Sequence, residues 1–231
     1  MSTVSRGHLI QALVTLAVAS LFTGAVLFLS AGTLRWAHGL YLMAAFLLLT
    51  LVAMAWLWRV NPEIFVARRR LSGQGTKGWD LVLVSILFAA FLATLIVAAL
   101  DDGRFHSAPA PLWAVLIGYV LLLAGYLGTT WAQAVNRHFE PTVRIQSDRD
   151  HHVITTGPYA YVRHPGYIFG VILSFGGALA LGSLWALLPA ALFAVVLVIR
   201  TNLEDATLQR ELPGYAEFAL RVRFKWIPRI W

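Results

Sequence analysis

His151–Tyr167, HHVITTGPYAYVRHPGY, is the densest mixture of His, Arg, Tyr, Gly and Pro in the chain, and long apolar regions flank it on both sides. Gly157-Pro158 forces a turn, because proline fixes its own φ and disfavours helix at the preceding residue. A second break follows at His164-Pro165-Gly166. Two stiff turns so close together present Tyr159, Tyr161, Arg163, His164 and Tyr167 from a rigid frame. An interfacial loop that anchors to lipid headgroups has the same composition, so the stretch alone does not separate a site from an anchor.

Outward from this stretch, the chain reads as membrane-embedded. Of 231 residues 59% are hydrophobic and 13% charged, about half the charge of an ordinary soluble domain. Uncharged runs of about 20 residues match the length a helix needs to cross ~30 Å of hydrocarbon. We expect spans at Leu9–Leu29, Ala37–Trp58, Leu81–Leu100 and Leu112–Ala132. The first lacks a small-residue cleavage pattern and is expected to be retained. Two shorter arms, Tyr167–Leu181 and Leu184–Ile199, read as a tight hairpin that enters and returns, kinked at Pro189. The tail Thr201–Trp231 is charged and amphipathic, with one helix ending near Pro213-Gly214 and another starting at Tyr215. The predicted fold is all-α: four transmembrane helices, a C-terminal helical hairpin and cytosolic amphipathic helices.

Charge placement orients these elements. With the N-terminus in the cytoplasm, only Arg35 and Arg104 of the 18 Lys and Arg residues fall outside, together with Asp101 and Asp102 in a short acidic loop. This is the positive-inside pattern. It puts Arg59–Asp80, Gln133–Pro165 and the tail on the cytosolic side, and accounts for the net charge of +7 without nucleic acid. The membrane expected is an inner membrane if the source is bacterial.

Three polar groups carry candidate chemistry. Arg200 and Glu204 lie four residues apart on one helix face, either as a surface ion pair or as a functional pair at the lipid boundary. The hairpin returns them to the level at which Arg163-His164-Pro165 entered. Arg68-Arg69-Arg70 reads as a contact with anionic lipid. His138, His151 and His152 have irregular spacing and no supporting carboxylate pattern, so no metal is expected. The chain has no cysteine, which excludes disulfides, thiolate metal sites and Cys nucleophiles. Neither a phosphate loop, a Ser-His-Asp order nor an H-E-x-x-H motif occurs.

At these residues the chain resembles the isoprenylcysteine carboxyl methyltransferase and phospholipid methyltransferase superfamily. The motifs are Asn61-Pro62-Glu63, Gly75-Thr76-Lys77…Trp79-Asp80, Asn136…Phe139 and His152-Val153-Ile154-x-x-Gly157-x-Tyr159-x-x-x-Arg163-His164-Pro165-x-Tyr167. Arg200-x-x-x-Glu204-Asp205-x-x-Leu208 and Tyr215-x-x-Phe218…Ile227-Pro228 complete them. Asp205 departs from the second Glu usual in the family. The resemblance implies a single membrane domain, with two spans in residues 1–58, a methyltransferase core in 59–231 and its cofactor part in 133–231. It implies S-adenosylmethionine as methyl donor, held by Gln146, His152, Val153, Ile154, Thr155, Tyr159, His164, Pro165, Gly166, Tyr167 and Glu204, with Arg200 and Glu204 catalytic and Arg200 on the substrate.

Aromatic faces such as Tyr159 and Tyr167 suit a sulfonium cation. The acceptor implied is lipophilic or small: the carboxylate of a prenylated cysteine, a lipid amine or a thiol. An NADPH-dependent sterol-type reductase shares the Arg-His-Pro-x-Tyr turn, but usually has Asn where this chain has Gly166. A transporter or non-catalytic membrane module would need polar residues inside the spans, and few occur there beyond Ser, Thr and Gln11.

Overall fold

The computed structural model describes residues 6–67 and 75–231. Arg68-Arg69-Arg70 lies outside the described residues. Helices α1 (Arg6–Ala31), α2 (Ala37–Val60), the single turn α3 (Ile64–Ala67), α4 (Gly78–Ala98), α5 (Leu112–Val135), α6 (Pro165–Ala180), α7 (Leu187–Glu211) and α8 (Tyr215–Arg221) form the chain. Among the described residues the regular structure is all helical. Five helices are long and apolar enough to cross a membrane, and α6 is a shorter apolar one. In hydrocarbon the backbone must satisfy its own hydrogen bonds, so apolar runs of this length become helices. The protein is a polytopic helical membrane protein.

The core of the bundle is the antiparallel pair α5–α6. A Cβ placed on Gly118 would lie 2.5 Å from the Ala180 nitrogen, and one on Gly125 would lie 2.5 Å from the Leu173 nitrogen. Gly176 of α6 meets the α5 backbone in the same way. Absent side chains let the two backbones touch, the usual means of gaining van der Waals contact where lipid offers no hydrophobic drive. Pro165 opens α6 at a position where its missing N–H is no loss.

Three expectations change. First, Asp101 and Asp102 are not in a loop. Helix α4 continues as a π-helical segment, Ala99–Phe105, and both acids are buried. Asp101 accepts from Ser107 Oγ (2.6 Å), the Ala108 amide (2.7 Å) and Ser183 Oγ (2.5 Å). Asp102 accepts from Trp36 Nε1 at 2.7 Å and pairs with His38 Nδ1 at 2.7 Å. These bonds tie the far-side connections together.

Second, the hairpin reaches that far side. The Ala110 amide donates to Gly182 O (2.7 Å) and the Leu184 amide to Ala108 O (3.2 Å), so the α6–α7 turn sits level with the α4–α5 connection. Its return arm does not stop at Ile199. It runs unbroken for 25 residues to Glu211, so Arg200, Glu204 and Asp205 belong to one rigid helix. Third, Pro189 makes no kink. It lies in the first turn of α7, where backbone N–H groups have no intrahelical acceptor to lose. The expected break at Pro213-Gly214 and the short helix from Tyr215 are present.

Candidate functional site

At the opposite end of the bundle, residues from 136 to 167 and from 200 to 218 enclose a cavity of about 210 Å³. Three clamps, two of them long-range, hold its lining in place. Arg163 forks onto Asp205 (Nε–Oδ1 2.7 Å, Nη2–Oδ2 2.9 Å). Asp205 also accepts from Tyr215 OH at 3.0 Å and Gln209 Nε2 at 2.8 Å, and His164 Nε2 lies 3.1 Å from it. So many partners consume this carboxylate, which locks the His-Pro turn to α7 and α8. Burial opposes the Arg163 charge, but Asp205 outweighs it and holds the guanidinium above its usual range.

The second clamp is Arg200. It pairs with Asp80, not with Glu204: Nε to Oδ1 at 2.7 Å and Nη2 to Oδ2 at 3.1 Å, with a further bond from Nη2 to Pro141 O at 2.7 Å. Asp80 is fully buried and also accepts the Val143 amide at 2.7 Å. The Arg200 guanidinium stands 5.3 Å from the Tyr167 ring centre. Tyr167 OH donates to Glu204 Oε2, and its ring stacks on His164 at 5.7 Å and 7°. Arg200, Tyr167, Glu204 and His164 thus form one contiguous wall.

The third clamp holds the loop before the opening stretch. Arg144 binds Glu140 (2.7 and 2.9 Å) and Asp148 (2.6 Å), and the Glu140 bonds raise its charge affinity above the normal arginine range. Gln146 Nε2 donates to His138 O at 2.7 Å, while its Oε1 faces His138 Nδ1 (3.3 Å) and Arg149 Nη1 (3.0 Å). The His138 ring packs against His151 at 4.6 Å and His152 at 5.0 Å. Burial, with neighbouring cations, pushes the His138 and His151 imidazoles down to about 4. Asn136 Nδ2 donates to Tyr159 OH at 2.9 Å, and burial raises that phenol above its usual range.

Gln146, His152, Val153, Ile154, Tyr159, His164, Gly166, Tyr167, Arg200 and Glu204 all line the cavity. Thr155 and Pro165 do not: Thr155 is exposed, and Pro165 is buried inside the helix start. Of the opening stretch, His151 lines the cavity too, whereas Tyr161 is 67% exposed.

Sequence reasoning gave no role to three lining or supporting residues. Asp80 was visible as an isolated acid at the start of a span. Glu140 is buried on Arg144. Thr142 lines the cavity, is 6% exposed, and its hydroxyl has no hydrogen-bond partner among the described residues. A buried hydroxyl without a partner costs free energy unless a ligand supplies one.

The chemistry of this lining fits S-adenosylmethionine. Glu204 and the Thr142 hydroxyl suit its amine and ribose hydroxyls, tyrosine faces suit a sulfonium, and Val153, Ile154, Leu208 and Leu212 give an apolar bed for a purine. Residues 113–213, from α5 through α7, match the family described as phospholipid methyltransferase. The chain is 28% identical over 123 residues to a protein-S-isoprenylcysteine O-methyltransferase of Schizosaccharomyces pombe, covering 53% of this chain and 45% of the relative. It is 30% identical over 131 residues to the nickel-cobalt-cadmium resistance protein NccN of Alcaligenes xylosoxydans xylosoxydans, covering 56% of this chain and 58% of the relative. The chain therefore spans about half the length of the curated relatives it matches. Over residues 113–213 it is thus similar to the phospholipid methyltransferase family, and over about half its length to an isoprenylcysteine O-methyltransferase.

Proposed function

We propose that the protein is an S-adenosylmethionine-dependent methyltransferase acting on a lipophilic acceptor at the membrane surface, with its cavity and both termini facing the cytoplasm. The observation that carries this reading is the single wall on which Glu204, Tyr167, His164 and the Arg200 guanidinium meet. When bound, S-adenosylmethionine supplies an electrophilic methyl whose bond to sulfur breaks as the acceptor's bond to carbon forms, the sulfur keeping the electron pair.

The residues present do what such a displacement requires: align the partners and exclude water. Glu204 and Thr142 hold polar groups of the donor, while Val153, Ile154, Leu208 and Leu212 bed its base. Tyr167, held by Glu204, presents its ring face to developing or resident positive charge. A carboxylate acceptor needs no base, and Arg200, fixed by Asp80, orients it. An amine or thiol acceptor must lose a proton. Glu204 suits that role better than His164, whose Nε2 is turned to Asp205 and Tyr215.

A second, mainly apolar cavity of about 170 Å³ lies among α1, α2, α4 and α6. Gly166 of the first cavity and Gly170, Ser174 and Gly177 of the second are spaced along α6 so that they share a face. That face supports an acceptor with a hydrocarbon tail. The test is transfer of labelled methyl from S-adenosylmethionine in membranes containing the protein, with the labelled product identified. Incorporation no greater than in membranes lacking the protein overturns the proposal. NADPH binding without S-adenosylhomocysteine binding favours a reductase instead.

A further inference from the structure

Residues 222–231 run back across the turn that forms the cavity's edge. The Arg163 amide donates to Phe224 O and the His164 amide to Lys225 O, each at 2.9 Å. Arg163 Nη1 reaches Val222 O and Arg223 O at 2.8 Å. Trp226, 7% exposed, then inserts beside Leu87 of α4 and Val196 and Leu197 of α7, and its Nε1 donates to Thr201 Oγ1 at 2.9 Å. The amides of Lys225, Trp226 and Ile227 converge on Trp231 O, each at 3.0 Å, which closes the segment on itself. The inward face of this strap is therefore fixed to the spans and to the Arg163-His164 turn.

Its outward face has a different composition. Leu220 is 75% exposed, Ile227 41% and Ile230 76%, and Arg221, Arg223 and Arg229 are exposed beside them. From Leu220 to Ile230 there are four cationic residues and no acidic one. Lys225 is already used, donating to Asn202 Oδ1 at 2.5 Å and lying 5.2 Å from the Trp231 ring centre. Trp226 reaches the apolar part of α4 and α7, so the strap sits at hydrocarbon depth on one side. Arginine stems can lie along apolar surface while their heads reach outward.

We propose that Leu220–Ile230 is a docking surface for anionic phospholipid headgroups in the leaflet on the cavity side, and that this docking holds the Arg163-His164 turn in place. Zwitterionic lipid would cover Leu220, Ile227 and Ile230 but bring no net negative charge to three arginines. An acidic headgroup with its acyl chains meets both needs, and clustered cations beside a span favour such lipids. A soluble acidic protein would match the charge but not the apolar side chains.

The absence of cysteine makes the test direct. A single Ile230→Cys substitution is labelled with an environment-sensitive fluorophore, and the protein is reconstituted in nanodiscs of phosphatidylcholine and phosphatidylglycerol. Bromine quencher is placed on one lipid or the other at equal mole fraction. We expect quenching by brominated phosphatidylglycerol to exceed that by brominated phosphatidylcholine about twofold or more, and to approach parity at high salt. Arg221→Gln/Arg223→Gln/Arg229→Gln should abolish the preference, and the corresponding triple Lys variant should keep it. Equal quenching by the two lipids in the otherwise unsubstituted protein overturns the proposal, as does a preference that survives the Gln variant. Neither readout depends on methyl transfer, so the proposal stands or falls separately from the enzymatic reading.

Discussion

Arg200 and Asp80, 120 residues apart in sequence, face each other inside the protein as a two-pronged ion pair, Nε–Oδ1 2.7 Å and Nη2–Oδ2 3.1 Å. The pair joins α4 to α7, and through the Val143 amide it also positions the loop that walls the cavity. Burying either charge alone is far more costly than burying both.

Asp80→Ala should therefore destabilise the protein strongly, by about 3–5 kcal/mol, because the Arg200 guanidinium stays buried without its counter-ion. Asp80→Asn keeps one acceptor and should cost less. Thermal unfolding in detergent, followed by helix content, gives the ranking. An Asp80→Ala midpoint equal to that of the parent would mean the pair contributes nothing to folding.

Thr142 predicts the opposite separation of stability from binding. Its hydroxyl has no partner to lose, so Thr142→Val should leave the unfolding temperature unchanged or raise it. Affinity for S-adenosylhomocysteine should fall about fivefold if the hydroxyl bonds the ligand, the value of one hydrogen bond of about 1 kcal/mol. Titration calorimetry on the purified protein reads this directly, and unchanged affinity removes Thr142 from the site.

The α5–α6 contact is testable with a pair of glycines. At Gly125 an added methyl meets the Leu173 backbone at 2.5 Å, so Gly125→Ala should cost about 1–3 kcal/mol through overpacking. At Gly177 an added methyl meets nothing within 4 Å, and alanine there should be neutral or mildly stabilising through helix propensity. Similar unfolding midpoints for the two variants would contradict the packing.

Two histidines, His138 buried and His151 half-buried, make stability depend on pH. His138 and His151 are held down to about 4 by burial, whereas an unfolded histidine titrates near 6.5. Between these values the unfolded chain binds protons that the folded one does not, so stability rises with pH. It should be fully present above about pH 6.5 and fall progressively towards pH 4. Unfolding midpoints measured across that interval, with His138→Gln and His151→Gln compared, check the sign and assign the residues. Flat profiles in the unsubstituted protein would contradict it.

Much of the architecture is written locally in the chain. Uncharged runs must become helices in lipid, basic residues gather on one side, and Gly157-Pro158 and His164-Pro165 stop helices wherever they stand. That was enough to read a polytopic helical protein, to place its polar layer at one end, and to bring the opening stretch beside Arg200 and Glu204. Local pattern misread three places: the hairpin, whose short apolar runs looked like arms that enter and return without crossing; Pro189, whose position in the first turn is harmless; and Asp101–Asp102, which read as a short acidic loop.

Partner choice belonged to the tertiary structure. Whether Arg200 meets Glu204 four residues away or Asp80 across the bundle depends on the rotation and depth of α4 and α7. Whether Asp205 touches a ligand or serves as the hub for Arg163, His164, Tyr215 and Gln209 depends on the same packing. Those rotations follow from the packing of α4 on α7, as where Leu87 meets Val196 and Leu197. Spacing along one helix reports which residues share a face. It carries no information about what stands opposite, because that is set by the sum of many interhelical contacts. The membrane thus dictated the helices from sequence alone, and only their packing selected which of the many polar residues in that layer became a cavity wall and which became its supports.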